Sequence, residues 1–125
     1  MTAKVGSSMA MAHIERVMYV ELKSDRSDRG PAWIGRVRTS KSGRTLYYRG
    51  RQLQRREGAS GNYVDIKTDE EFWVSGVKRD GTDRHWAGGG PVEIDADVLD
   101  EYLQIVNPSV RATILKARAA MRSRP

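Results

Sequence analysis

The chain has 125 residues, 38% of them hydrophobic and 30% charged, a size and balance that support one hydrophobic core and therefore one domain. It contains no cysteine, which excludes disulfides, zinc thiolates and thiol nucleophiles. No window approaches the roughly 20 apolar residues of a membrane span and no signal-peptide core is visible, so a cytoplasmic protein without a membrane partner is expected.

The net charge of +6 is spread in blocks. Eight basic residues and no acid lie between positions 36 and 56: Arg36, Arg38, Lys41, Arg44, Arg49, Arg51, Arg55 and Arg56. The sign reverses over Glu93, Asp95, Asp97, Asp100 and Glu101, then turns basic again through Arg111, Lys116, Arg118, Arg122 and Arg124. Such blocks attract polyanions or neutralise one another within a fold.

In chain order, residues 1–13 have no apolar periodicity and read as a disordered lead-in. From Met18 the set Met18, Val20, Leu22 alternates with Tyr19, Glu21, Lys23, the period of a half-buried strand. A polar loop ending at Gly30-Pro31 follows. AWIGRVRTS and RTLYYRGRQLQ then form a hairpin across Ser42-Gly43, where glycine supplies the positive φ of a tight turn.

After a glycine-containing connection, NYVDIK and EEFWVSGVK pair across Thr68-Asp69-Glu70. Val64 and Ile66 alternate against Tyr63 and Asp65, and Phe72 and Val74 against Trp73 and Ser75. Gly76 marks a bulge or a close backbone approach. Asp80-Gly81 makes a turn, and Gly88 to Gly90 form a connector into the short strand PVEID.

Asp95 is placed as the N-cap of a helix whose stripe of Val98, Leu99, Tyr102, Leu103 and Val106 seals the sheet. Asn107 caps, and Pro108 opens, a basic C-terminal helix with Val110, Ile114, Ala117 and Met121 on one side. The expected fold is mainly β with C-terminal helices: a small twisted antiparallel sheet, or an SH3-like partly open barrel, of four to six strands. The expected organisation is a β-rich domain with its sealing helix over 14–106 and the basic helix over 107–125.

RTLYYRGRQLQ, NYVDIKTDEEFWVSGVKRDGTDRHWAG and VEIDADVLDEY, with the opening ERVMYVE, resemble a family of small uncharacterised bacterial proteins over Ile14 to Tyr102. Some members of that family carry the transferred label 1-deoxy-D-xylulose 5-phosphate synthase. The residues do not supply that chemistry. A thiamine diphosphate site needs Gly-Asp-Gly and a later asparagine within a large two-part active site. Here Arg79 precedes Asp80-Gly81, Asn107 stands at a helix cap, and the chain has no room for the remainder.

Asp80, Asp83 and His85 are residues of metal-ligand type that lie together, but turn chemistry accounts for them better, so no metal site is expected and these three are the minority alternative. A catalytic triad would need His85 with an unmarked serine such as Ser75, and no nucleophile elbow accompanies it. No cofactor motif is present: the glycine triplet runs into Pro91, not into the Lys-Ser or Lys-Thr of a phosphate loop.

The arginine-rich hairpin is the leading candidate site. Arg36, Arg38 and Arg49 are expected on one sheet face, with Tyr47 among them as a stacking platform and Lys41, Arg44, Arg51, Arg55 and Arg56 extending the charge. The expected function is a non-enzymatic binding module for nucleic acid, another polyanion or an acidic protein segment. Docking of this face on the acidic residues between Asp95 and Glu101 is the competing structural role. The alternative function is a protein-interaction or homo-oligomeric accessory domain using Trp73, Trp33 and the C-terminal helix.

Overall fold

A single sheet wraps until its first and last barrel strands meet. The computed structural model describes residues 13–23, 30–56, 61–82 and 92–122. The strands are β1 (His13–Leu22), β2 (Ala32–Ser40), β3 (Thr45–Tyr48), β4 (Arg51–Arg55), β5 (Tyr63–Asp65), β6 (Glu71–Gly76) and β7 (Val92–Ile94). Their order is β1-β6-β5-β4-β3-β2-β7, and a further pairing of β1 with β2 closes the first six into an antiparallel barrel. β7 lies outside the closure, parallel to β2, with Ala32 opposite Val92 and Ile34 opposite Ile94. Closure removes the exposed edges that an open sheet of this size would leave.

Alternation along the strands sorts side chains into two cores. Val20, Leu22, Val37, Leu46, Tyr48, Leu53, Tyr63, Phe72 and Val74 fill the barrel, with Met18 and Trp33 packed against them. On the outside of the wall, Val17 and Tyr19 of β1 and Ala32 and Ile34 of β2 meet Val98, Tyr102 and Val106. Val98 ends a 3-10 turn at Ala96–Val98, Tyr102 lies in helix α1 (Leu99–Ile105) and Val106 is the extended residue that follows it; helix α2 (Pro108–Arg122) adds Val110 and Ile114 to the same layer. Val98, Tyr102 and Val106 of the expected helical stripe are therefore the cover of this outer core, while Leu99 and Leu103 are not part of it. No helix among the described residues is long and apolar enough to cross a membrane.

Several expectations need correction. β1 is not half-buried, because helices cover the face opposite the barrel interior. Tyr19 and Glu21 are fully buried, and Lys23 is nearly so. Their polar atoms pair locally: Tyr19 Oη donates to Glu21 Oε1 at 2.5 Å, and Lys23 Nζ lies 3.0 Å from Glu21 Oε2. RTLYYRGRQLQ is not one strand. It reverses at Arg49-Gly50, and both residues have positive φ (50° and 77°), as the centre of a two-residue type I′ hairpin requires.

In the next hairpin, Tyr63, Val64 and Asp65 are all buried, whereas Ile66 belongs to the turn and is exposed. Gly76 ends β6 in register with Met18, and nothing lies within 4 Å of where its Cβ would stand, so it marks neither a bulge nor a close approach. Asp95 precedes the 3-10 turn but makes no side-chain cap. Asn107 does cap α2, its Oδ1 accepting the Val110 N–H at 3.0 Å. Ala117 of the expected α2 stripe is exposed. β1 begins at His13, one residue inside the expected lead-in; residues 1–12, Asp83, His85 and Gly88 to Gly90 lie outside the described residues.

Candidate anion-binding groove

The eight basic residues do not share one face, because the Arg49-Gly50 turn reverses the chain in their midst. Arg36 and Arg38 point outward from β2, and the β2–β3 register sets Tyr47 beside Arg38 on the same outer surface. The Arg38 guanidinium lies 5.2 Å from the Tyr47 ring centre. Arg49 sits in the turn itself. Arg51 and Arg55 share the parity of Leu53 and so flank the barrel interior at opposite ends of β4. Their guanidinium groups lie over Phe72 at 5.0 Å and Tyr63 at 5.9 Å. Lys41 and Arg44 are exposed at the β2–β3 turn. Arg56 pairs with Asp69 at 3.2 Å.

Arg36, Arg38, Arg49 and Arg51 nevertheless converge on one open groove of about 380 Å³ across the β3–β4 turn. Tyr47, Tyr48, Gly50 and Gln52 complete its wall, together with Lys67 from the β5–β6 turn. Five of these nine residues are cationic and none is acidic, although carboxylates just outside the lining pair with Arg36, Arg49 and Arg51. Arg44 and Arg55 line a second depression of about 370 Å³ with Ser42 and Gln54.

Two carboxylates hold the groove in shape: Asp65, which the sequence did not single out, and Asp95, which belongs to the acidic block expected to dock on this face. Asp65 is 3% exposed and anchors one side. Its Oδ1 accepts the backbone N–H groups of Lys67 at 2.8 Å and Thr68 at 3.2 Å, and its Oδ2 accepts Arg51 at 2.6 Å. Burial opposes its charge, but these donors outweigh burial and hold the carboxyl below its usual range. Burial likewise opposes the charge on Arg51, yet its bonds to Asp65 and Glu70 leave its pKa raised. An Asp followed by Ile-Lys-Thr at the end of a strand is the local signal for such a turn.

Asp95 anchors the other side. Its Oδ1 takes Arg49 at 2.6 Å and its Oδ2 takes the Tyr48 hydroxyl at 2.5 Å. Burial, then the bond to Asp95, raises the Tyr48 pKa and keeps the phenol a donor. Arg49 also lies over Trp33 and Tyr48, 5.3 and 5.6 Å from the ring centres. A methyl group at Gly35 would stand 2.5 Å from Asp95 Oδ2 and against the Tyr48 ring, so this meeting of three segments requires glycine there.

The acidic block also reaches the groove from outside. Arg36 lies 2.8 Å from Glu101 and 3.7 Å from Asp97. The hydrogen bonds to Glu101 and to Asp95 raise the pKa values of Arg36 and Arg49, respectively. Docking on the acidic block therefore engages two of the groove's cations. Arg38 and Lys67 make no ion pair among the described residues.

The two tryptophans of the expected aromatic face do not lie together. Trp33 packs against the barrel core beside Tyr48, with ring centres 6.3 Å apart, while Trp73 stands on the outer wall of β6 and is 41% exposed. Asp80 is exposed and closes its own turn, accepting Thr82 N–H at 3.1 Å and Thr82 Oγ1 at 2.6 Å. Among the described residues no three side chains of metal-ligand type cluster. Comparison with known protein families, curated proteins and solved structures finds no match to the chain.

Proposed function

We propose that this barrel is a binding module for a phosphate-bearing polyanion, nucleic acid in the first place, held in the groove between β2 and the turns that follow β3 and β5. One observation carries the reading: five cations surround an open groove whose lining contains no acid. Four of them are arginines, whose planar fork of donors matches two phosphate oxygens at once. Arg36 and its partners Asp97 and Glu101 are substantially exposed, so an incoming phosphate meets a weak, solvent-screened competitor, not a buried ion pair.

The test is a titration of a labelled oligonucleotide followed by fluorescence anisotropy over a range of salt. Contact with three to five phosphates gives a log–log salt slope of about −2 to −4. Arg38→Ala, which breaks no ion pair, weakens binding several-fold and makes the slope shallower by about one unit. Salt-independent binding, or no binding at low salt, overturns the reading.

A second reading rests on Trp73, an exposed indole on β6, a strand that contributes nothing to the groove. It fits association with another protein surface or a second copy of the chain. Light scattering that shows a dimer dissociated by Trp73→Lys supports self-association, and a monomer at every concentration overturns it.

A further inference from the structure

We infer that the ligand is single-stranded nucleic acid lying along the β3–β4 hairpin, with the two depressions as the ends of one track; this rests on the polyanion reading above. The depressions sit at opposite ends of the same two strands: Arg49 and Arg51 belong to the first, Arg44 and Arg55 to the second. β4 has five residues, so at about 3.3 Å per residue the basic ends stand some 13 Å apart along the strand. With the reach of the side chains that is a site of about four nucleotides, the small end of the range for single-strand-binding barrels.

The chemistry between the ends separates a single strand from a duplex. In register across the outer wall stand Tyr47 opposite Gln52 and Thr45 opposite Gln54, the last pair hydrogen-bonded through their side chains at 3.1 Å. An aromatic ring, two carboxamides and a hydroxyl are poor partners for phosphate compared with arginine. They suit unpaired bases, which stack on rings and exchange hydrogen bonds with amides. Arg38 beside the Tyr47 ring adds a second planar group at the same place. A duplex keeps its base faces stacked and presents its phosphates to this wall, so it engages the ends and leaves the strip between them unused.

The experiment compares short single-stranded RNA and DNA, the corresponding duplexes and inorganic polyphosphate against the whole chain. Variants are Arg38→Ala, Tyr47→Ala, Tyr47→Phe and the pair Arg44→Ala with Arg55→Ala. Single strands are expected to bind about tenfold or more tighter than duplexes, and Tyr47→Ala to lose about tenfold for single strands but clearly less for polyphosphate. Tyr47→Phe retains the affinity, which separates stacking from a folding defect. The Arg44 and Arg55 pair weakens binding of a strand long enough to span both depressions but not of a dinucleotide. Equal or tighter duplex binding, or a Tyr47→Ala variant that binds single strands normally, overturns the inference. If duplex and polyphosphate still bind with salt and Arg38 dependence, the groove reading survives that failure; if nothing binds at low salt, both fall.

Discussion

The Tyr48 hydroxyl donates to Asp95 at 2.5 Å, joining the last residue of β3 to the residue that leads from β7 into the helical layer. The same carboxylate holds Arg49, so one acid fixes both the barrel wall and a cation of the groove. Gly35 leaves the space in which they meet.

Removing the donor tests this junction. Tyr48→Phe leaves Asp95 without its phenol and costs about 1.5–3 kcal/mol, the range for a hydrogen bond to a charged group. Gly35→Ala costs about 1–3 kcal/mol by overpacking the same point. Because the folded pKa of Tyr48 is raised above the ordinary tyrosine value of about 10, its contribution is complete below that pH and declines as pH rises beyond it. Urea melts of wild type and Tyr48→Phe should therefore converge at alkaline pH.

Asp65 gives the opposite pH limb. Its folded pKa is lowered, so its contribution is complete above the unfolded value of about 3.9 and is lost as pH falls through the folded pKa. Asp65→Asn is expected to lower stability at neutral pH by about 2 kcal/mol and to flatten the acid limb. The same variant frees the turn that carries Lys67 into the groove, so oligonucleotide affinity falls with it. A wild-type acid limb retained in Asp65→Asn would assign acid unfolding to another carboxylate.

Arg36 tests whether the acidic block competes with ligand. Glu101→Gln removes its partner at 2.8 Å and one negative charge beside the groove. Affinity for an oligonucleotide should rise about two- to threefold at low salt, the difference fading as salt screens it. A fall in affinity would mean that Glu101 orients Arg36 for its ligand. The melting temperature should hardly move, since the pair is exposed.

What was legible in the sequence was local. The Ser42-Gly43 turn, the hairpin joining β5 to β6, the Asn107 cap and the basic hairpin follow from residue chemistry within a few positions. What was not legible depends on distant partners. Arginine is a poor choice at positive φ, and Arg49 holds that position with an ion pair 46 residues away in sequence, so the split into β3 and β4 carries no strong local mark. Glu21 and Lys23 read as a solvent face, yet both are buried, on the side of β1 where Val17 and Tyr19 meet residues brought back by the end of the chain. Lys67 joins the groove because β5 and β4 are neighbours, with Leu53 opposite Asp65.

Glycine substitutions separate backbone conformation from space. Nothing stands within 4 Å of a Cβ built at Gly50 or Gly76, so neither substitution meets a clash. Gly50 has φ 77° as the second central residue of the β3–β4 turn, a region in which an alanine pays about 1–2 kcal/mol. Gly76 is not among the residues with positive φ, and alanine there removes unfolded-state freedom worth about 0.4–1 kcal/mol. Gly50→Ala should therefore lower, and Gly76→Ala raise, the midpoint of urea unfolding, with unchanged m-values for both. Because Gly50 lines the groove and Gly76 does not, only the first should also weaken oligonucleotide binding, by tilting Arg49 and Arg51 out of register. Equal shifts in both variants would remove the positive-φ turn as the reason for the Arg49-Gly50 reversal.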